Sequence, residues 1–258
     1  MAVTLSILGS GSRGNAAVVA SSRTRLLVDA GFSRRELLRR LQAAGQADAG
    51  LDAILITHEH SDHVAGLPRL AARLPCPVWI NPETRAALGA AGEALPRVES
   101  FAAGASFQIG DIEVTAFSIP HDAADPVAFC FRAEGVRIAF VTDLGYLAAN
   151  VKDHLRGADC AVIESNHDPE LLKNGGYPWA LKQRVLGRLG HLSNPNLAEF
   201  LASEYDGAAS HLVLAHLSEN NNLPSLALLS AQRALAGRAH APRVYVAPQS
   251  EPLPDICF

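Results

Sequence analysis

The run Thr57-His58-Glu59-His60-Ser61-Asp62-His63 gathers four metal-ligand side chains, His58, His60, Asp62 and His63, into one short segment. Imidazoles clustered with a carboxylate suit a divalent transition metal. His58 and His60 are two apart, so an extended segment points both to one side. Asp62 and His63 are adjacent, point apart, and can reach a second ion. One segment can therefore seed two metal positions. The apolar run Ala53-Ile54-Leu55-Ile56 before it reads as a buried strand that delivers the ligands at its end.

Other strand ends carry similar chemistry. A strand through Leu27-Val28 closes on Asp29. A β-rich stretch from about Val98 to Val141 supplies Ile119-Pro120-His121-Asp122 and Phe140-Val141-Thr142-Asp143. The strand Cys160-Ala161-Val162-Ile163 ends in Glu164-Ser165-Asn166-His167-Asp168, and His211 to Ala215 ends in His216. Gly190-His191-Leu192-Ser193 precedes a helix with Asn194 as its expected cap and Pro195 at its first position. Ligands at successive strand ends are what a site on the rim of a sheet core looks like. His154, His211 and His240 read as packed or surface residues.

The first strand, Val3 to Leu8, runs into Gly9-Ser10-Gly11-Ser12-Arg13-Gly14-Asn15. This matches the glycine pattern of a dinucleotide-binding turn, but the stretch from Gly14 to Asp29 is too short for the helix and return strand of that unit. It reads as a hairpin. The loop is either an anion cradle of backbone N–H groups with Ser10, Ser12 and Asn15, or a tight turn between strands. Ser33 caps a helix to about Ala43, with Arg34, Arg35, Arg39 and Arg40 on a solvated face. A helix opens at Asp62-His63 and continues through Val64, Leu67, Leu70 and Leu74. After a glycine-bearing loop, another covers Tyr177 to Arg188.

Composition sets the frame. The chain has 258 residues, 48% hydrophobic and 19% charged, which fits a single globular domain over residues 1–258. A net charge of −4 argues against a non-specific polyanion binder but leaves room for a local basic patch. Cys76, Cys130, Cys160 and Cys257 are scattered and form no C-x-x-C, so free thiols in a reducing cytoplasm are expected. No apolar run has transmembrane length, so no membrane partner is expected.

In chain order, His58, His60, Asp62, His63, His121, Asp143 and His216 resemble the signature of the metallo-β-lactamase superfamily of dinuclear hydrolases, H-x-H-x-D-H followed by a distant His, Asp and His. The resemblance spans nearly the whole chain. It implies a four-layer αββα sandwich, two mixed sheets face to face with helices outside. It implies that His58, His60 and His121 hold one metal, that Asp62, His63 and His216 hold the other, and that Asp143 bridges them. Asp29 would orient ligands through hydrogen bonds. Two ions about 3.5–4 Å apart can share a hydroxide and clamp a phosphoryl or carbonyl oxygen. Zinc, manganese and iron all suit such a donor set. The lactamase branch has another ligand at the bridging position, so the aspartate disfavours β-lactams.

Gly190-His191-Leu192-Ser193, paired with Leu212 to Ser218, resembles the last motifs of the phosphodiesterase branch, as in tRNase Z. That resemblance implies that His191 is not a ligand but donates a proton or stabilises phosphoryl charge, with Glu164 orienting it and Asp62 also catalytic. Further words are similar to the YycJ/WalJ group of bacterial exonucleases: Ser10-Gly11-Ser12, Pro120-His121-Asp122-Ala123, Thr142-Asp143-Leu144-Gly145, Glu164-Ser165-Asn166-His167-Asp168 and His216-Leu217-Ser218-Glu219-Asn220. This implies 5′-to-3′ degradation of DNA, single-stranded for preference, with manganese or zinc. Ser12, Asn15, Asn166, His167 and Lys182 are the expected substrate contacts. The 168–188 stretch offers Lys173, Lys182, Arg184 and Arg188, with Tyr177 and Trp179 either stacking on bases or packed in the core. The competing function is hydrolysis of a small thioester, ester or cyclic phosphodiester on the same metals. A non-catalytic metal-binding protein would show a lost ligand, and none is lost.

Overall fold

The computed structural model describes residues 3–46, 50–238 and 240–258. In chain order, β1 (Thr4–Gly9), β2 (Ala16–Ala20) and β3 (Arg25–Val28) lead to α1 (Arg34–Ala43), β4 (Ala53–Leu55), α2 (Ser61–Val64) and α3 (Leu67–Ala71). Then come β5 (Val78–Ile80), α4 (Pro82–Ala87), α5 (Ala90–Glu93), β6 (Val98–Ser100), β7 (Ser106–Ile109), β8 (Ile112–Ser118), β9 (Val127–Ala133) and β10 (Val136–Val141). The chain continues through α6 (Ala149–Leu155), β11 (Cys160–Glu164), α7 (Pro169–Asn174), α8 (Trp179–Leu186) and α9 (Asn194–Ser203). It ends with β12 (His211–Ala215), α10 (Pro224–Leu235), β13 (Arg243–Val246) and β14 (Ile256–Cys257).

Two mixed seven-stranded sheets result, ordered β14-β1-β2-β3-β4-β5-β6 and β13-β12-β11-β10-β9-β8-β7. With the helices in their connections they fit the expected αββα sandwich. Each sheet has a parallel part: β3 to β6 in the first, β10 to β13 in the second. Parallel strands buried on both faces read as unbroken apolar runs, as β4 and β11 do. Their carboxyl ends are where open α/β sheets bind ligands. By compactness the chain divides into Met1–Ser118, Ala123–Val136 and Pro248–Phe258 as one unit, and Ile119–Asp122 and Arg137–Ala247 as the other. Leu27, Leu37, Ile54, Leu67 and Val78 are core residues of the first. Val162, Ile163, Val213, Leu214 and Leu201 are buried in the second.

Several local expectations need correction. The helix expected from Asp62 to Leu74 breaks between α2 and α3. There Gly66 donates its N–H to Ala30 O at 2.8 Å, and a Cβ at Gly66 would strike the Phe32 carbonyl. Arg40 is not on a solvated face. It is buried, donates to Leu8 O at 2.7 Å and Ser250 O at 3.1 Å, and lies 3.9 Å over the Phe32 ring. Ser193, not Asn194, caps α9 by accepting from Asn196 N, while Asn194 turns inward and accepts from Ser165 Oγ at 2.7 Å. The stretch read as a glycine-bearing loop contains α7, capped by Asp168, and α8, bounded by Pro178 and Gly187, is shorter than expected. The four cysteines are free, three of them buried. Among the described residues no helix is long and apolar enough to cross a membrane.

Candidate metal centre

The first unit contributes the contiguous candidate ligands. β4 ends at Leu55, and Thr57 to His60 run on without helical hydrogen bonding before Ser61 opens α2. The His58 ring centroid lies 4.7 Å from that of His60 and 4.1 Å from that of His63. The carboxylate of Asp29, just past β3, holds this cluster from behind. Its Oδ2 lies 2.7 Å from His63 Nδ1, its Oδ1 accepts the Thr57 N–H at 2.9 Å, and both oxygens accept from the Thr57 hydroxyl. Thr57 Oγ1 also lies 3.0 Å from His58 Nδ1. His63 Nε2 faces the other way, 3.6 Å from Asp62 Oδ2 and 3.1 Å from Asn15 Nδ2. Gly31 is needed here because a Cβ would collide with the Asp62 carbonyl, which accepts from Asn15 N at 2.8 Å.

The second unit collects its groups from strand ends far apart in sequence. The hub is Glu164, fully buried at the end of β11. Its Oε1 lies 2.8 Å from His191 Nδ1 and 2.8 Å from His216 Nδ1. Its Oε2 accepts the N–H groups of Leu144 and Leu192, both at 3.0 Å. Burial alone would raise the Glu164 pKa. The neighbouring His191 and the hydrogen bonds from His191 and His216 outweigh that and hold it below the usual carboxylate range. Asp143, buried at the end of β10, brings Oδ1 to 3.3 Å from His216 Nδ1 and 3.9 Å from His121 Nε2. His121 Nδ1 lies 3.1 Å from the Gly190 carbonyl. One atom each from Asp143, Glu164, His191 and His216 falls within a 4.8 Å cluster. The two imidazoles turn Nδ1 toward Glu164 there, so the group is a hydrogen-bonded hub rather than a metal cage.

The donor set fits divalent metal. In His58, His63, His121 and His216, Nδ1 faces a hydroxyl, carboxylate or carbonyl oxygen of the protein. That fixes the ring and turns Nε2 outward, which is how metal-binding histidines are held. Backbone conformation marks the same places. Asp29 (φ 59°), Asp143 (φ 60°) and His216 (φ 54°) are left-handed non-glycine residues, and the other one among the described residues, Glu134, lies in the β9–β10 turn. Such conformations cost roughly 1 kcal/mol or more each and concentrate at functional sites. No sequence pattern announced them. Thr57 was also passed over as a mere neighbour of the histidines, although a hydroxyl beside a metal-ligand motif is a readable signal.

The expected substrate contacts separate into two groups. Ser12 and Lys182 are on the surface, with Lys182 Nζ 2.6 Å from Lys173 O. Asn15, Asn166 and His167 are buried, Asn15 against His63 Nε2 and the Asp62 carboxylate. Asn166 donates to the His216 carbonyl at 2.8 Å, which secures the left-handed turn. Of the two readings of residues 9–15, anion cradle or tight turn, the hydrogen bonds favour the turn. The N–H groups of Ser10, Gly11, Arg13, Gly14 and Asn15 go to Pro248 O, Asn15 Oδ1, Gln249 Oε1, Gly11 O and Asp62 O. The His191 side chain is 17% accessible, against 0% for His121 and 3% for His216, while His60 is also partly exposed.

A family model described as a beta-lactamase superfamily domain matches residues 24–217. Exodeoxyribonuclease YycJ of Bacillus anthracis is 38% identical over 237 residues, covering 91% of this chain and 90% of its own length. Exodeoxyribonuclease WalJ of Streptococcus pneumoniae is 38% identical over 236 residues, covering 90% and 87%. Among solved structures, the metallo-β-lactamase fold protein YhfI from Bacillus subtilis matches with a TM-score of 0.72 and 17% identity, over 97% of this chain and 99% of that one. Human tRNase Z, short form, matches with a TM-score of 0.63 and 18% identity, over 97% and 98%. At these identities the structural likenesses bear on the fold alone.

Proposed function

This chain belongs to the metallo-β-lactamase superfamily, of the YycJ/WalJ type, and is a metal-dependent hydrolase; from that premise we propose that it is a 5′-to-3′ DNA exonuclease acting on single strands with two divalent ions. His58, His60 and His121 would hold one ion, Asp62, His63 and His216 the other, and Asp143 would bridge them. The imidazole and carboxylate donors suit zinc or manganese, and iron is compatible. When bound, such a pair supplies an activated water at neutral pH and draws charge from a phosphoryl oxygen.

The single observation that carries the phosphodiester reading is the shared carboxylate oxygen of Glu164. It holds the ligand histidine His216 and the more exposed His191 at the same 2.8 Å distance. Accepting from Nδ1, Glu164 would fix the His191 ring so that Nε2 serves as the proton donor to a leaving sugar oxygen. Breaking a phosphodiester needs that proton, because the departing alkoxide is a strong base. Asp62, partly exposed beside His63, would take the proton of the attacking water. Glu164 itself touches no open surface and serves as a positioning residue.

The test is digestion of single-stranded DNA labelled at either end, by protein loaded with manganese or with zinc, alongside Asp62→Asn and a metal count on the loaded protein. Mononucleotides released from the 5′ end, absent in the variant, with two ions per chain, are expected. Release from the 3′ end, or cleavage of a small thioester without any DNA turnover, would replace the reading.

A further inference from the structure

Of the large hydrophobic side chains exposed among the described residues, Tyr146, Leu171, Trp179, Leu186 and Leu189 all belong to one neighbourhood of the second unit, the α7–α8 excursion and the loop after β10. Trp179 is the extreme case, 66% accessible at the first turn of α8. Helical spacing puts Trp179, Lys182 and Leu186 on one stripe, and Val185 turns the other way into the core. An exposed tryptophan stripe of this kind marks a surface that meets a partner.

The excursion is tied to the catalytic groups by its backbone. Arg184 makes a two-pronged pair with Asp122. Asp122 N donates to Leu189 O at 3.0 Å, Gly190 O faces His121 Nδ1 at 3.1 Å, and His191 N donates to Val185 O at 3.0 Å. Arg188 lies 4.4 Å over the Tyr146 ring, three residues beyond Asp143. The apolar stripe thus ends at a stacked arginine and then at His191. The charge has the right sign for a polyanion. Within residues 168–191, Lys173, Lys182, Arg184 and Arg188 outnumber Asp168 and Glu170, with Lys173 paired to Glu170 and Arg184 to Asp122, in a chain whose net charge is −4.

We propose that this surface is a stacking platform for the single-stranded substrate, with Trp179 taking a base and the Arg188–Tyr146 pair holding the backbone nearer the site. The proposal rests on the nucleic-acid reading above. Aromatic faces accept any base, and a guanidinium already stacked on a ring is pre-oriented for phosphate. A strand laid along α8 is thereby led to His191, which a docked protein would obstruct.

The test compares wild type, Trp179→Ala and Trp179→Phe, all metal-loaded, on end-labelled oligothymidylate and on bis(p-nitrophenyl) phosphate, a diester too small to reach α8. KM for DNA should rise about tenfold in Trp179→Ala, the scale of one lost base stack, and by less than about twofold in Trp179→Phe, where a stacking ring remains. The loss should be confined to DNA. A phosphorothioate-linked oligothymidylate should also quench the wild-type tryptophan emission and leave that of Trp179→Phe, which retains Trp79 stacked on Phe107, unchanged. An unchanged KM for DNA in Trp179→Ala, or a parallel loss on both substrates, overturns the platform alone. Wild type that hydrolyses the small diester but neither binds nor cuts DNA overturns the platform and the exonuclease reading together.

Discussion

The candidate ligand groups of the two units are built in opposite ways. In the first, one short segment from Thr57 to His63 supplies every candidate ligand, and Asp29 and Asn15 brace it from the side. In the second, the candidate ligands His121, Asp143 and His216 come from separate strand ends and loops, and one buried carboxylate connects His216 and the non-ligand His191 to two backbone N–H groups. A contiguous group depends mainly on local chain geometry. A dispersed group depends on a hub, and damage to the hub should spread.

Removing a ligand from either group should have the largest effect and should not tell them apart. Asp62→Asn and His216→Ala are each expected to lower turnover on the order of 10³-fold, the scale of losing one group that stabilises transition-state charge. Steady-state kinetics on DNA checks both, and retention of near-normal turnover by either would exclude that residue from the centre. The bracing residues should separate the two groups. Glu164→Gln is expected to cost about 100-fold in turnover, toward the upper end for a group orienting metal ligands, and about 2–3 kcal/mol of stability, because buried partners lose their acceptor. Asp29→Asn should cost nearer 10-fold, since the amide keeps one acceptor for Thr57. Turnover and thermal midpoints measured on both variants decide it, and equal losses would erase the contrast drawn above.

The effect of acid bears on stability and leaves turnover at neutral pH untouched. His167 is 1% accessible, and burial pulls its pKa from the usual 6.5 down to about 4. Between those values the unfolded chain binds a proton that the native chain refuses. Stability from this source therefore falls as pH drops from about 6.5 to about 4, by up to about 3 kcal/mol, and is constant above that window. His167→Leu should flatten this part of the profile. Denaturation midpoints at pH 7 and pH 4.5 test it, and an unaltered acid slope would assign the sensitivity elsewhere.

The same contrast explains how much was legible in the sequence. The contiguous ligands stood out because their spacing alone states their chemistry. The dispersed ones were found through strand ends and family resemblance. The roles behind them were harder to read. Asn166 and His167 looked like pocket residues because they follow a strand, but the backbone turns them inward, where Asn166 secures His216. The sequence left the 9–15 loop open between an anion cradle and a tight turn, and tertiary partners such as Pro248 and Gln249 take up N–H groups a cradle would need. Arg40 looked solvated because its neighbours are charged, yet carbonyls from both ends of the chain, Leu8 and Ser250, claim it. In each case residue type was a sound guide and the partner, distant in sequence, decided the outcome.

Asp143 adds a consequence for directed evolution. It holds a left-handed backbone that glycine adopts without strain, and its buried carboxylate repels Glu164. A library selected only for heat resistance should therefore accumulate glycine at position 143, and turnover would disappear from the population as its melting temperature rose.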